Sequence, residues 1–210
     1  WANYRFTETP SKGVMMWGNL NNNYNQLSMG YNSNNDISRM YGPKHSGFLG
    51  NRVIGYAESH DEERLMYKNL QFGNTANASH NVKNLNIALS RMSAIGAVSL
   101  LIPGPKMIWH FGELGNNQSI YTCANGSVND EGTFLPGDCK LDTKQQVQWS
   151  ENWLADARRT AIYNDWAKMI KLKTSEPVFS GDCSISPNGS NIRQRIYVYD
   201  NSLPSTQLKN

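Results

Sequence analysis

Three times along the chain a short apolar run precedes a segment with helical character, which is the rhythm of βα units. The first run spans residues 13–18 and leads into a helical segment over 19–30. The second spans 52–58, and its helix is predicted over 81–101. There Val82, Leu85, Leu89, Met92, Ile95 and Val98 recur every three or four positions and place one apolar stripe on one face. Pro103 ends this helix, because proline lacks a donor and clashes with the preceding turn. The small residues Ala94, Gly96 and Ala97 predict a close approach of the helix to a strand. The third run spans 106–111. After a loop over 112–150, a helix is predicted over 152–173, with Leu154, Ala157, Ala161, Met169 and Leu172 supplying its buried face. Pro177 follows, and Asn188-Gly189 marks a turn before residues 192–199, whose alternation of apolar and polar positions predicts an antiparallel-type strand. The change from βα to β near 176–181 divides a partial α/β unit, 1–176, from the start of an all-β unit, 177–210.

Composition narrows the class. The 210 residues are 39% hydrophobic and 18% charged, which suits a globular domain with a sizeable core. No window approaches the roughly 18 consecutive apolar residues that a membrane span needs, and the N-terminus lacks the charged-then-apolar pattern of a secretory signal. A net charge of +3, with Lys and Arg scattered among Asp and Glu, gives no indication of nucleic-acid binding. Lys168, Lys171 and Lys173 fall at a predicted helix end, where cations favour the negative pole of the dipole.

Of the cysteines, Cys123, Cys139 and Cys183, none has metal-ligand spacing. Cys123 and Cys139 bracket a Gly-, Asn- and Asp-rich loop. A disulfide closing it in an oxidising compartment would contribute about 3 kcal/mol and would point to export; three reduced, buried thiols fit equally. No Asp-rich loop with calcium-ligand spacing occurs, so no cofactor is evident in this segment.

The chemistry concentrates in the second run. Val53-Ile54-Gly55-Tyr56-Ala57 ends abruptly in Glu58-Ser59-His60-Asp61-Glu62-Glu63-Arg64. In a β/α barrel the carboxyl ends of the strands build the catalytic face, so ionisable groups placed there have a geometric reason. On the residues alone the same pattern also fits a strand ending in a solvated loop, with Asp61 capping the next turn and His60 satisfied in the core. Glu62, Glu63 and Arg64 can neutralise one another by ion pairing, which fits a supporting role better than catalysis. Trp17, Tyr24, Trp109 and Tyr121 fall near strand ends or loops. Each offers a flat apolar face for a ligand or fills the core.

Glu58-Ser59-His60-Asp61 resembles the fourth conserved region of the α-amylase family, glycoside hydrolase family 13, at the end of that family's seventh barrel strand. Residues 102–113, with a Gly-Pro lead-in and a Gly-x-Glu exit at Gly112 and Glu113, resemble its eighth strand, and residues 15–21 are similar to the sixth-strand region of bacterial α-amylases. The resemblance extends to about Tyr199. Ser59 departs from the Asn that many members carry, which blurs the subfamily.

The resemblance implies strands six to eight of a (β/α)8 TIM barrel followed by the start of a β-sandwich domain, and a parent enzyme that hydrolyses α-1,4-glucan such as starch or a maltooligosaccharide with retention. It implies that Asp61 stabilises the oxocarbenium-like transition state and that His60 is a substrate ligand; among the four aromatics, Trp17 is the best candidate for a sugar contact. No Gly-x-Arg-x-Asp nucleophile motif occurs. The nucleophile and acid/base expected of a retaining glycosidase are therefore placed upstream of Trp1, so the segment alone is expected to be inactive. Glu113 takes no catalytic role. Three βα units cannot close an eight-stranded barrel, so the expected partner, besides the glucan, is the missing N-terminal barrel half. Calcium is frequent in the family and would belong to the parent protein. A secreted, periplasmic or cell-surface location in a bacterium is expected, with any signal outside this sequence. A transglycosidase or branching enzyme of the same family, or a noncatalytic glycan-binding protein on a degenerate barrel, fits the same motifs.

Overall fold

The computed structural model describes residues 2–3, 13–123, 126–129 and 148–210. Two of the predicted runs become neighbouring strands: β1 (Met16–Asn19) lies parallel to β2 (Val53–Tyr56), in register from Met16 opposite Val53 to Asn19 opposite Tyr56. The third run joins the far side of β2 through one parallel bridge between Gly55 and Lys106, with Gly55 N–H donating to Pro105 O (3.2 Å) and Met107 N–H to Gly55 O (3.1 Å). It forms no full strand. Pro103 and Pro105 contribute no donors, and Phe111 turns the chain away in the left-handed region at φ 60°.

The helices cover one side. α1 (Asn21–Met29) ends at Gly30, whose φ of 87° is the left-handed conformation that glycine adopts without strain. α2 (Leu65–Phe72) carries the buried residues Leu65, Met66 and Asn69; eight residues are too few for the spacing to have announced it. α3 (Leu85–Leu100) starts where the Asn84 side chain accepts from Asn86 N–H (2.9 Å), so Val82, though buried, belongs to the preceding turn. Gly96 allows a close approach, but to a helix and not to a strand: a Cβ there would collide with the Trp166 indole of α4 (Ala157–Ser175).

The buried face of α4 is not the predicted one. Leu154 and Leu172 are exposed, as are Ala157 and Ala161, while Arg159, Ile162 and Trp166 are buried and Met169 packs against them. The helix is rotated because Arg159 has partners inside: it donates to Leu114 O and Asn117 Oδ1 (both 2.8 Å) and to Gly115 O, with its guanidinium over the Trp153 ring at 4.7 Å. Lys173 falls in the last turn of α4, as expected, and it also serves another helix. Lys173 Nζ donates to Leu100 O (2.7 Å), Ile102 O and Gly104 O (both 2.6 Å), closing the end of α3, while Lys168 and Lys171 stay exposed.

The predicted strand over 192–199 forms as β4 (Arg195–Tyr199) and pairs antiparallel with β3 (Asp182–Ser186). Cys183, Ile185, Ile196 and Val198 turn one face of this hairpin onto the core built by Tyr24, Met40, Leu65, Leu89, Met92, Ile102, Ile162 and Trp166. The described residues thus form a partial α/β unit with a hairpin packed on its helical side. Among them, no helix is long and apolar enough to cross a membrane.

Candidate functional site

Because β1, β2 and the 105–107 segment run parallel, their carboxyl ends emerge on the same edge. Residues alternate faces along a strand, so Trp17 and Asn19 share one face with Ile54 and Tyr56. The opposite face carries Gly55, packed against Met40 of the core. On the open face the Trp17 ring meets the Tyr56 ring edge-on at 5.9 Å, and Trp17 is 57% exposed.

Beyond Tyr56 the chain enters the ionisable run. Ser59 is buried, whereas His60 and Asp61 are both exposed, so Asp61 does not lie in the water-excluded surroundings in which a carboxylate best stabilises developing positive charge. The His60 ring sits 5.6 Å from the Trp109 ring, which joins the end of the second run to the end of the third. His60 and Trp109 therefore meet at the strand-end edge, whereas Trp17, the second residue of β1, stands on the sheet face against Tyr56. Tyr24 does not join them: it is wholly buried and its hydroxyl donates to Val98 O (2.8 Å). Tyr121 is half-buried in the loop that follows the third run.

Beneath this edge is a network that sequence reasoning assigned only as mutual ion pairing. The Glu62 carboxylate accepts from Asn19 Nδ2 and from Ser59 Oγ, tying the end of β1 to the turn after β2. The Asn21 amide donates to Ala57 O (2.8 Å) and Glu63 O (3.0 Å), a second tie between the same two units. Buried Glu63 accepts from Ser119 Oγ (2.6 Å), Ile120 N–H (3.1 Å) and Arg64 N–H (2.9 Å), which fixes the loop after the third run. Buried Glu58 accepts from Leu65 N–H (2.7 Å) at the start of α2. Arg64, 2% exposed, donates from Nη1 to Ser59 O and Glu62 O.

Electrostatics follow from burial. Desolvation pushes the Glu58 carboxyl upward, partly offset by the Arg64 guanidinium and the Leu65 N–H. Burial pulls Arg64 downward, and Glu58, Glu63 and Glu62 act against it. His110 is lowered by burial and then by Arg64, and Glu113 is raised by burial. Trp109 Nε1, His110 Nε2 and Glu113 Oε2 are buried without hydrogen-bond partners among the described residues. Among those residues no group of three or more His, Cys, Asp or Glu side chains could hold a metal ion. Cys123 is disulfide-bonded and Cys183 is a free buried thiol; Cys139 lies outside the described residues.

No family model matches the sequence, and no curated protein matches it. Among solved structures the chain is similar to an α-amylase from H. orenii, at 16% identity and a TM-score of 0.47, over 96% of this chain and 44% of that one. It is also similar to Eubacterium rectale Amy13B, at 15% identity and a TM-score of 0.41, over 95% of this chain and 44% of that one. The chain spans less than half the length of either structure. At these identities and scores the likeness assigns neither family nor activity.

Proposed function

We propose that this chain is the C-terminal portion, strands six to eight, of the catalytic (β/α)8 barrel of a retaining α-glucan hydrolase of the α-amylase type, with residues 177–210 beginning a C-terminal β-sandwich domain. The observation that carries the reading is the strand-end edge. Three parallel segments in chain order end on one edge, where the His60 ring of the His60-Asp61 turn meets the Trp109 ring, while Trp17 lies exposed on the neighbouring strand against Tyr56. Stacking faces with ionisable and hydrogen-bonding groups between them are what a pyranose ring requires.

In this reading Asp61 supplies negative charge against the oxocarbenium-like transition state, and His60 exchanges hydrogen bonds with hydroxyls of the same sugar. Trp17 offers an exposed face for a sugar ring. The nucleophile and acid/base belong to a partner segment, the N-terminal barrel half, which also covers the open face and removes water from around Asp61. The substrate is an α-1,4-glucan such as starch or a maltooligosaccharide. The disulfide at Cys123 supports a secreted, periplasmic or cell-surface setting.

The test is activity on amylose. In the complete enzyme Asp61→Asn is expected to lower kcat roughly a thousandfold, the scale of losing one preorganised electrostatic group. The 210-residue chain alone is expected to release no reducing sugar. Near-normal turnover by Asp61→Asn, or full hydrolysis by the isolated chain, contradicts the proposal.

A further inference from the structure

We infer that Arg64 is the positioning residue of the His60-Asp61 turn, which its guanidinium holds by binding the main chain on either side. One nitrogen, Nη1, donates both to Ser59 O and to Glu62 O (3.1 Å), the carbonyls that immediately precede and follow the pair. His60 and Asp61 themselves are exposed, so the path of the backbone beneath them largely decides where their side chains sit. Arg64 is 2% exposed; burial disfavours its charged form, and the charges of Glu58, Glu63 and Glu62 act against that.

The clamp is anchored from below as well. Arg64 N–H donates to the Glu63 carboxylate, which also holds Ser119 and Ile120, and the next residue, Leu65, donates its N–H to Glu58. The turn is thereby referenced to the start of α2 and to the loop after the third run. A planar guanidinium fixes the direction of the two N–H bonds on Nη1, whereas a lysine ammonium on a flexible stem retains the charge but not that fixed direction. Arg64 touches no reacting atom in this scheme; its effect passes through the turn. The consequence for sugar binding rests on the reading under Proposed function, while the clamp does not.

The experiment compares the full chain with Arg64→Met and Arg64→Lys by proton NMR, using two ring contacts. One is His60 with Trp109 (5.6 Å), which depends on the turn. The other is Trp17 with Tyr56 (5.9 Å), which reports the strand pair. Maltoheptaose affinity is measured on the same samples. Arg64→Met is expected to lose the His60–Trp109 contact, keep Trp17–Tyr56, and bind maltoheptaose at least tenfold more weakly. Arg64→Lys is expected to recover part of both losses. Persistence of the His60–Trp109 contact in Arg64→Met overturns the inference. If Arg64→Met loses both contacts through misfolding, Arg64→Lys decides: a weakened His60–Trp109 contact beside an intact Trp17–Tyr56 contact supports the clamp, and an unchanged pair overturns it. Failure of the wild-type chain to bind maltoheptaose overturns the sugar-binding reading alone, and the ring contacts then judge the clamp.

Discussion

Two lysine amines converge on one carbonyl oxygen: Lys106 Nζ and Lys173 Nζ both donate to Gly104 O, at 3.0 and 2.6 Å. Lys106 also reaches Pro103 O (2.9 Å) and Pro105 O (3.3 Å). Burial, followed by the neighbouring Lys173, draws Lys106 down to about 6, and burial draws Lys173 down to about 8. Both values lie below the ordinary lysine range, so between about pH 6 and 10 the unfolded chain binds more protons than the folded one. Stability contributed by these groups therefore rises with pH across that window and is least below about pH 6. Lys106→Met is expected to flatten the rise in melting temperature between pH 6 and pH 9, whereas an unchanged slope would show that the pair carries no such linkage. At this scale the sequence was legible where charge and apolarity match location, and illegible where they do not. His60, Asp61 and Trp17 could be singled out because they end apolar runs. Arg159 could not be foreseen as a core residue, because its burial depends on carbonyls at Leu114 and Gly115, far away in the chain.

The contact between α3 and α4 shows how one small residue sets the spacing of two elements. Gly96 faces Trp166, whose indole N–H donates to Met92 O (2.9 Å), so the two helices meet with backbone against ring. Gly96→Ala adds a methyl where no room exists and is expected to destabilise the chain by about 1–3 kcal/mol, the usual range for overpacking, measured by urea unfolding. A cost below a few tenths of a kcal/mol would mean that the helices separate freely. Long periodic elements were readable in advance: α3 and α4 appear within a few residues of their predicted bounds. Short ones were not. α2 offers too few turns for a period to emerge. β3 does carry a period-two signal in Cys183 and Ile185, but it lies among polar residues beside an expected boundary, and its pairing with β4 supplies the order that its own sequence lacks. The third strand failed for the opposite reason, since its apolar run was strong but its prolines removed the donors that a ladder needs.

Among the described residues, the helices and the hairpin pack on one side of the sheet, and β1 on its edge stays largely exposed. Among the described residues β1 pairs only with β2, and across its start and the two residues before it Val14, Met15, Met16 and Trp17 are 42%, 47%, 39% and 57% exposed. An apolar edge of this kind is a template for further strand pairing. The isolated chain is expected to self-associate with rising concentration in sedimentation velocity, and Met16→Lys should reduce that association; a wild-type chain that stays monomeric at all concentrations would contradict it. Trp17 belongs to this exposed strand, so sugar binding and partner binding are both predicted to involve it. The most direct test of the account is an NMR titration of the chain with maltoheptaose. Shifts are predicted for Trp17, His60, Asp61 and Trp109, and Asp61→Asn should weaken them at an unchanged melting temperature. A titration in which those four residues stay still, or in which Asp61→Asn binds as the wild type does, would contradict the assignment of this edge to a glucan.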